Sequence, residues 1–413
     1  MLHDPARHEA LTATPWNEGR ALDVIERIVC DAEARFSPEG WWPSHPRDEV
    51  PPEVAAQPAT PLYMGGAGMV WALRYLRDAG AAALRRDESY PDTDELLRRN
   101  GEWLQAAGPP GYGAGSYLCG DTSILLMAYG VEANEALADR LAALIEGHVA
   151  HPTRELMWGS PGTLLAARFL HERDGRMRWA DLFRRTAAQL WSELQWSEGH
   201  SCHYWTQDLY GQRSTFLDAA HGFAATASVL VHGRHLLDDE RWRAWEACIT
   251  NTMQRTATRE DDRATWPTQL LPLDPPVVDK KRMQFCHGAP GFVVCLGDMP
   301  GHELDELLLA AGRATWAAGP LAQGANLCHG TGGNGYAFLK LYKRTGDSLW
   351  LDRARAFAAH GIEQVESEAA AVGRRRYSLW TGDIGFAIYL WDCVRATTRF
   401  PTLDVFWGDR AAA

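Results

Sequence analysis

Two short stretches carry the side chains best suited to chemistry. Gln284 to Leu296, QFCHGAPGFVVCL, and Gln323 to Leu339, QGANLCHGTGGNGYAFL, each set an adjacent Cys-His pair before a glycine-rich turn and an apolar run. Cys286, Cys328 and His329 together make two thiolates and one imidazole. In zinc enzymes such a set leaves the fourth position open to water or substrate, whereas structural sites close all four. His287 could complete a tetrahedral site, but Cys286 and His287 are not expected to reach one ion together, and hydrogen bonding is expected of His287. The spacing is not a CxxC pattern, and only a repeated fold can bring the two cysteines together. His200-Ser201-Cys202-His203 also holds ligand types, but it precedes no glycine turn and is expected to be a polar loop.

The repeat that must position these groups is a Gly-x-x-Gly turn followed by an apolar helix. It recurs at Gly65, Gly159, Gly288, Gly330 and Gly382, with weaker copies at Gly120 and Gly222 in which Ser123 and Ala225 replace the second glycine. After Gly68 the apolar residues Met69, Ala72, Leu73 and Leu76 keep helical spacing. More polar helices, such as Asp92 to Ala107 and Leu349 to Glu363, lie between the turns and are expected to form an outer layer. Seven such hairpins cannot each bury an apolar face alone, and stacking them into a closed ring solves this. The expected fold is therefore an all-α, α/α toroid formed by residues 1–413 as one domain. Residues 1–60 form an N-terminal helix and a proline-rich lead-in, and residues 61–413 form the seven units. Linkers are expected at Pro43 to Pro61, Gly108 to Gly115 and Asp274 to Asp279. All seven turns then face one cavity, where His221 stands directly before the fourth glycine, Glu155 and Arg282 precede the third and fifth, and Asp383 follows the seventh.

Composition narrows the function classes. With 46% hydrophobic and 23% charged residues the chain has the profile of a soluble globular protein. A net charge of -12, and no basic block longer than Arg374-Arg375-Arg376, exclude nucleic acid as an expected partner. The first twenty residues hold no apolar core of a signal peptide, and no apolar run is long enough to span a membrane, so a cytoplasmic location is expected. Eight cysteines spread over the chain do not resemble a secreted disulfide framework, and the 18 tryptophans are expected to pack between helix layers.

At these motifs the chain resembles the lanthionine synthetase C-like (LanC-like) family, over essentially its whole length and through all seven turns. FCHGAPG, LCHGTGGNGYAFLKLY, AHGFA and YSLWTGDIGFAIYL followed by TRFP are similar to its eukaryotic and stand-alone branch. The resemblance implies one Zn(2+) per chain held by Cys286, Cys328 and His329, with His221 as catalytic histidine and Arg282 as active-site arginine. Glu155 stands where some peptide cyclases of the family carry an aspartate. The implied reaction is conjugate addition of a thiol to dehydroalanine or dehydrobutyrine, giving a thioether. Its implied partner is a dehydrated peptide or a dehydroalanine-containing protein, with a small thiol as co-substrate when addition is not intramolecular. The chain departs from the family pattern at Phe285, where tryptophan is usual, and at Gln323, where glutathione-binding members have lysine. No dehydratase or kinase segment is recognisable, so the dehydroamino acid is expected to be made elsewhere.

Two other function classes fit parts of the sequence. A non-catalytic zinc-containing module could bind a peptide or glutathione, but a pure binder has no need of His221 as proton donor or of Arg282. A carbohydrate-active α/α toroid needs two opposed carboxylates at its cavity, for which only Glu155 and Asp383 are available nominees.

Overall fold

The computed structural model describes residues 1–48, 58–108, 113–271 and 281–408. In chain order its helices are α1 (Glu18–Arg35), α2 (Gly66–Asp78), α3 (Thr93–Ala107), α4 (Asp121–Val131), α5 (Glu135–His148), α6 (Ser160–Asp174) and α7 (Met177–Ser192). There follow α8 (Phe223–His232), α9 (Asp239–Thr256), α10 (Ala289–Leu296), α11 (Asp305–Ala318), α12 (Thr331–Thr345), α13 (Ser348–Val372) and α14 (Asp383–Arg395). Every even-numbered helix begins at one of the seven glycine turns. These seven are the inner ring, in which α4 packs on α6, α6 on α8, α8 on α10, α10 on α12, α12 on α14, and α14 returns to α2. The odd-numbered helices lie outside, and α1, expected as part of a lead-in, takes the outer place beside α14.

The two layers differ in sequence because they differ in solvent. All of α10 is buried, as is α6 from Ser160 to Leu170, so these inner helices are covered on every side and are mostly apolar. Outer α7 buries only Trp179, Ala180, Leu182, Phe183, Thr186, Ala187 and Leu190, a single stripe at helical spacing. Tryptophans such as Trp179, Trp205, Trp245 and Trp266 are buried as expected. No helix among the described residues is long and apolar enough to cross a membrane.

Helix N-termini separate the layers again, with glycine at every inner N-cap and at none of the outer ones, although outer α7 and α11 also lack a side-chain cap. Outer helices α1, α3, α5, α9 and α13 are capped by Asn17, Asp92, Asn134, Asp238 and Asp347, whose side chains accept a first-turn amide. Inner helices have glycine at that position and no side-chain cap. Carbonyls of the preceding loop take their amides instead: Gly66 donates to Ala59, Asp121 to Ala114, Phe223 to Phe216, Thr331 to Gly324 and Asp383 to Arg376. The loop therefore folds back over the helix end. This leaves no room for a Cβ in the first helical turn at Gly291 and Gly333, where one would sit 1.9 Å from the carbonyl oxygens of Phe285 and Leu327. In the five units that carry it, the second glycine is what admits so close an approach, while units two and four make the same fold-back bonds with Ser123 and Ala225 at that position.

Several expectations need correction. The long connections around the fourth unit hold short antiparallel hairpins that periodicity did not predict: β1 (Gln195–Ser197) with β2 (Cys202–Tyr204), β3 (Gln207–Leu209) with β4 (Gln212–Ser214), and β5 (Thr258–Glu260) with β6 (Arg263–Thr265). The expected polar loop at residues 200–203 is the turn and second strand of the first hairpin, with Cys202 buried. Outer helix α13 runs on to Val372, past the expected end at Glu363. Of the expected linkers, residues 49–57, 109–112 and 272–280 lie outside the described residues, which removes Asp274 to Asp279 entirely.

Residues 397–408 occupy the bore of the ring. Phe400 stacks on Phe285 at 4.6 Å and meets Tyr336 at 4.7 Å, while Tyr117 and Trp380 donate to the carbonyl and hydroxyl oxygens of Thr402. His232, Asp298 and Asp404 cluster as three metal ligands would, but buried Lys340 bonds both carboxylates there, so the chain supplies its own cation. A Gly333→Ala substitution is expected to lower stability by about 3 kcal/mol or more, the upper range for one substitution. Gly101→Ala, in the open interior of α3, should raise it by up to about 1 kcal/mol. Denaturant midpoints measure both, and an unchanged midpoint for the first contradicts the steric account.

Candidate metal centre and cavity

The residue two places before each first glycine is Tyr63, Leu118, Met157, Ala220, Cys286, Cys328 and Trp380 in turn. All seven line one cavity of about 940 Å³ at the turn end of the inner ring. Backbone bonds join them into a belt: Tyr63 donates to Leu118, Leu118 to Met157, Cys286 to Cys328, Cys328 to Trp380, and Trp380 back to Tyr63 at 3.1 Å. The residues three places before the glycine, from Leu62 to Leu379, are all buried beneath. Alternation across the turn thus sends one side chain into the core and the next into the cavity.

The belt is interrupted at the fourth unit. Met157 N–H goes to Glu155 Oε2 at 2.9 Å, and Ala220 N–H to Asp218 Oδ1 at 3.0 Å. Both carboxylates are fully buried, and each also faces a histidine. Glu155 Oε2 meets His221 Nδ1 at 2.8 Å, and Asp218 Oδ2 meets His287 Nδ1 at 2.7 Å. Burial works to lower the His221 pKa, but the hydrogen bond and charge of Glu155, with the charge of Asp218, outweigh it and raise the pKa above 6.5. His287 is likewise raised: burial opposes its charge, and Asp218 overcomes that. Burial pushes against ionisation of Asp218, yet the facing His287 charge holds its carboxyl below the ordinary value.

Across the cavity, one ligand atom from each of Cys286, Cys328 and His329 lies within 4.8 Å of the others. Both cysteines are buried, and burial lowers the His329 pKa, so its imidazole is neutral, the form that binds a metal. The His329 ring makes no hydrogen bond among the described residues. The hydrogen bond shared by the thiols holds Cys328 below its ordinary pKa and drives Cys286 well above it, with burial adding to the latter. Two thiolates this close ionise together only with a cation between them, so the donor set fits zinc. Tyr63 donates to Cys328 Sγ at 3.0 Å, and Gln284 Nε2 to Cys286 Sγ at 2.9 Å.

The fold brings six expected residues to this cavity or its wall. Cys286, Cys328, His329, His221 and Arg282 line it, and Glu155 stands behind His221 as a positioning group. No carboxylate among the described residues pairs with Arg282. His287 forms the hydrogen bond expected of it. Asp383 does not join them: it turns toward Arg375, 3.6 Å away, and burial pushes its pKa up to about 7. The carbohydrate reading thereby loses its second carboxylate. Asp218, Gln284, Tyr63 and Arg7 went unnoticed in the sequence, though one signal was available. Four places before each glycine stand Pro61, Ser116, Glu155, Asp218, Gln284, Asn326 and Ser378, nearly all polar. Side-chain oxygens of Ser116, Glu155, Asp218 and Asn326 accept the amide three residues on, the signature of a side-chain-closed turn.

Comparison with known proteins bears on the family and the fold. The family described as lanthionine synthetase C-like protein matches residues 55–405. The LanC-like protein GCL1 of Arabidopsis thaliana is 28% identical over 264 residues, which cover 61% of this chain and 58% of that protein. The glutathione S-transferase LANCL1 of Danio rerio is 33% identical over 135 residues, 30% of this chain and 31% of that one. The chain thus spans well under two thirds of either relative's length. Among solved structures nisin cyclase is similar in fold, with a TM-score of 0.58 at 15% identity over 84% of this chain and 93% of its own.

Metal analysis of the purified protein is expected to give close to one zinc per chain, and Cys328→Ser or His329→Ala to lower that content severalfold. Zinc-free wild-type protein, prepared without chelators, would overturn the assignment.

Proposed function

This chain belongs to the lanthionine synthetase C-like family, and we propose that it adds a thiol to a dehydroamino acid, with zinc held by Cys286, Cys328 and His329. The observation that carries this reading is the convergence of that donor set and the His221–Glu155 pair on one cavity. Bound zinc would supply the acidity that makes a thiol a thiolate at neutral pH.

The chain's own residues account for the rest. A thiolate attacking the β-carbon of dehydroalanine or dehydrobutyrine forms the C–S bond and sends the alkene electrons to the carbonyl as an enolate. Arg282, on the cavity wall and without a carboxylate partner among the described residues, offsets that charge. His221, its Nδ1 engaged by Glu155, turns Nε2 to the cavity and delivers a proton to the α-carbon. The thiol has lost one proton and the product gained one, so the balance closes. Glu155 fixes the imidazole's orientation and favours its charged form, which is the form a general acid needs.

The substrate is a dehydrated peptide, closing a lanthionine-type ring, or a dehydroalanine-containing protein that takes up a small thiol. Arg7, Arg47, Arg282 and Arg376 line the cavity. Arg47 and Arg376 are held by Glu368 and Asp48, so Arg7 and Arg282 are the cations better placed to meet a substrate carboxylate. That supports an anionic thiol or peptide even with Gln323 on the same wall in place of a lysine.

Mass spectrometry after incubation with a dehydroalanine peptide, with and without added thiols, separates ring closure, external addition and no reaction. The last outcome, in zinc-loaded protein, would refute the proposal. His221→Ala is expected to keep zinc but slow thioether formation by about 10²–10⁴-fold, the range for losing a general acid. If it loses the metal instead, the acid assignment is wrong. Because Glu155 raises the His221 pKa, activity should persist above pH 6.5 and fall as pH rises through the raised value. Glu155→Gln should move that basic limb to lower pH in a profile of kcat/KM. An unmoved limb would show that Glu155 does not tune His221.

A further inference from the structure

Besides the hydrogen bond the thiols share, each candidate thiolate ligand receives one from a polar side chain. The Tyr63 hydroxyl, from the first turn, lies 3.0 Å from Cys328 Sγ of the sixth. The Gln284 carboxamide, in the fifth turn, places Nε2 2.9 Å from Cys286 Sγ. Its orientation is fixed from outside: Arg7 NH2 donates to Gln284 Oε1 at 2.8 Å, and a guanidinium has no acceptor, so the carboxamide nitrogen must face the sulfur. Arg7 itself sits on an N-terminal segment pinned along the ring by Asp4 N to Lys281 O, Glu9 N to Pro320 O and Ala322 N to Arg7 O.

We infer that Tyr63 and Gln284 are positioning residues for the metal centre, each donating to one cysteine ligand, and that Arg7 couples the N-terminal segment to it by polarising the Gln284 donor. A donor hydrogen bond withdraws electron density from a thiolate. With both ligands so weakened as donors, a metal held by them would keep more of its positive charge, which would favour ionisation of an incoming thiol. Two thiolates alone would neutralise a divalent ion, and these two donors restore part of its acidity without adding a charge beside the substrate. Arg7 acts one bond further out: its charge makes the Gln284 N–H a stronger donor, and the effect reaches Cys286 but not Cys328.

The inference rests on the metal reading, and cobalt substitution separates the two. The full chain loaded with Co(II) should show sulfur-to-cobalt charge-transfer absorption. Tyr63→Phe and Gln284→Leu should each move that band to longer wavelength and, because a cysteine without its donor is harder to ionise and to hold in place, weaken zinc about tenfold in chelator competition. Arg7→Ala should move the band in the same direction by less, and should move nothing further once Gln284 is leucine. Bands and affinities at wild-type values in Tyr63→Phe and Gln284→Leu would overturn the inference while leaving the metal reading intact. Absence of any such band in the wild-type chain would overturn both. Tyr63 lies at the cavity surface, so Tyr63→Phe decides the question even if substitution of buried Gln284 unfolds the protein.

Discussion

Carbonyl oxygens stand where side chains would otherwise be. The loop before each inner helix folds back so that its carbonyls take the helix's first amides, and in the five units with a second glycine the approach is too close for a Cβ there. Four unsatisfied amides per buried helix end would otherwise be intolerable in a core this apolar. The solution has a geometric by-product. A loop bound so tightly has only its tip free, and the tip is aimed at the centre of the ring. Seven repetitions make a cavity, and the chemistry is whatever residues stand at the tips.

Where the belt of tip-to-tip bonds fails, charge takes its place. Met157 and Ala220 find no neighbouring carbonyl, and buried Glu155 and Asp218 accept their amides instead. A buried carboxylate is stable only with several donors, and each of these gains a histidine as well as backbone N–H groups. The interruption is therefore what introduces two negative charges beside His221 and His287. Units two and four, which carry Ser123 and Ala225 in place of the second glycine, show that the turn tolerates variation; only the fourth couples it to an altered belt.

Features that repeat were legible in the sequence, and features that break the repeat were not. The seven turns, the ring, the inner and outer layers and the meeting of Cys286, Cys328 and His329 follow from periodicity and residue type. The hairpins β1 to β6 escaped because each strand spans three residues, too few for an alternation signal. Asp383 was misplaced because its position at a turn said nothing of its direction, and Arg375 claims it. Asp218, Gln284 and Tyr63 act through partners 69, 2 and 265 residues away, and only the aligned turn positions relate such distances.

The joint between Trp380 and Tyr63 has a kinetic meaning. It ties the seventh turn to the first, and the Tyr63 hydroxyl reaches Cys328 across the same seam. A ring of this kind keeps two exposed helix flanks until its last unit arrives, and closing a loop of that length is an entropic cost met late. Partly made chains would hold both cysteines with the first-turn hydroxyl not yet seated. Assembly of the thiolate pair in its final surroundings and closure of the ring are then one event, so a metal taken up earlier would sit in a weaker, more exchangeable environment.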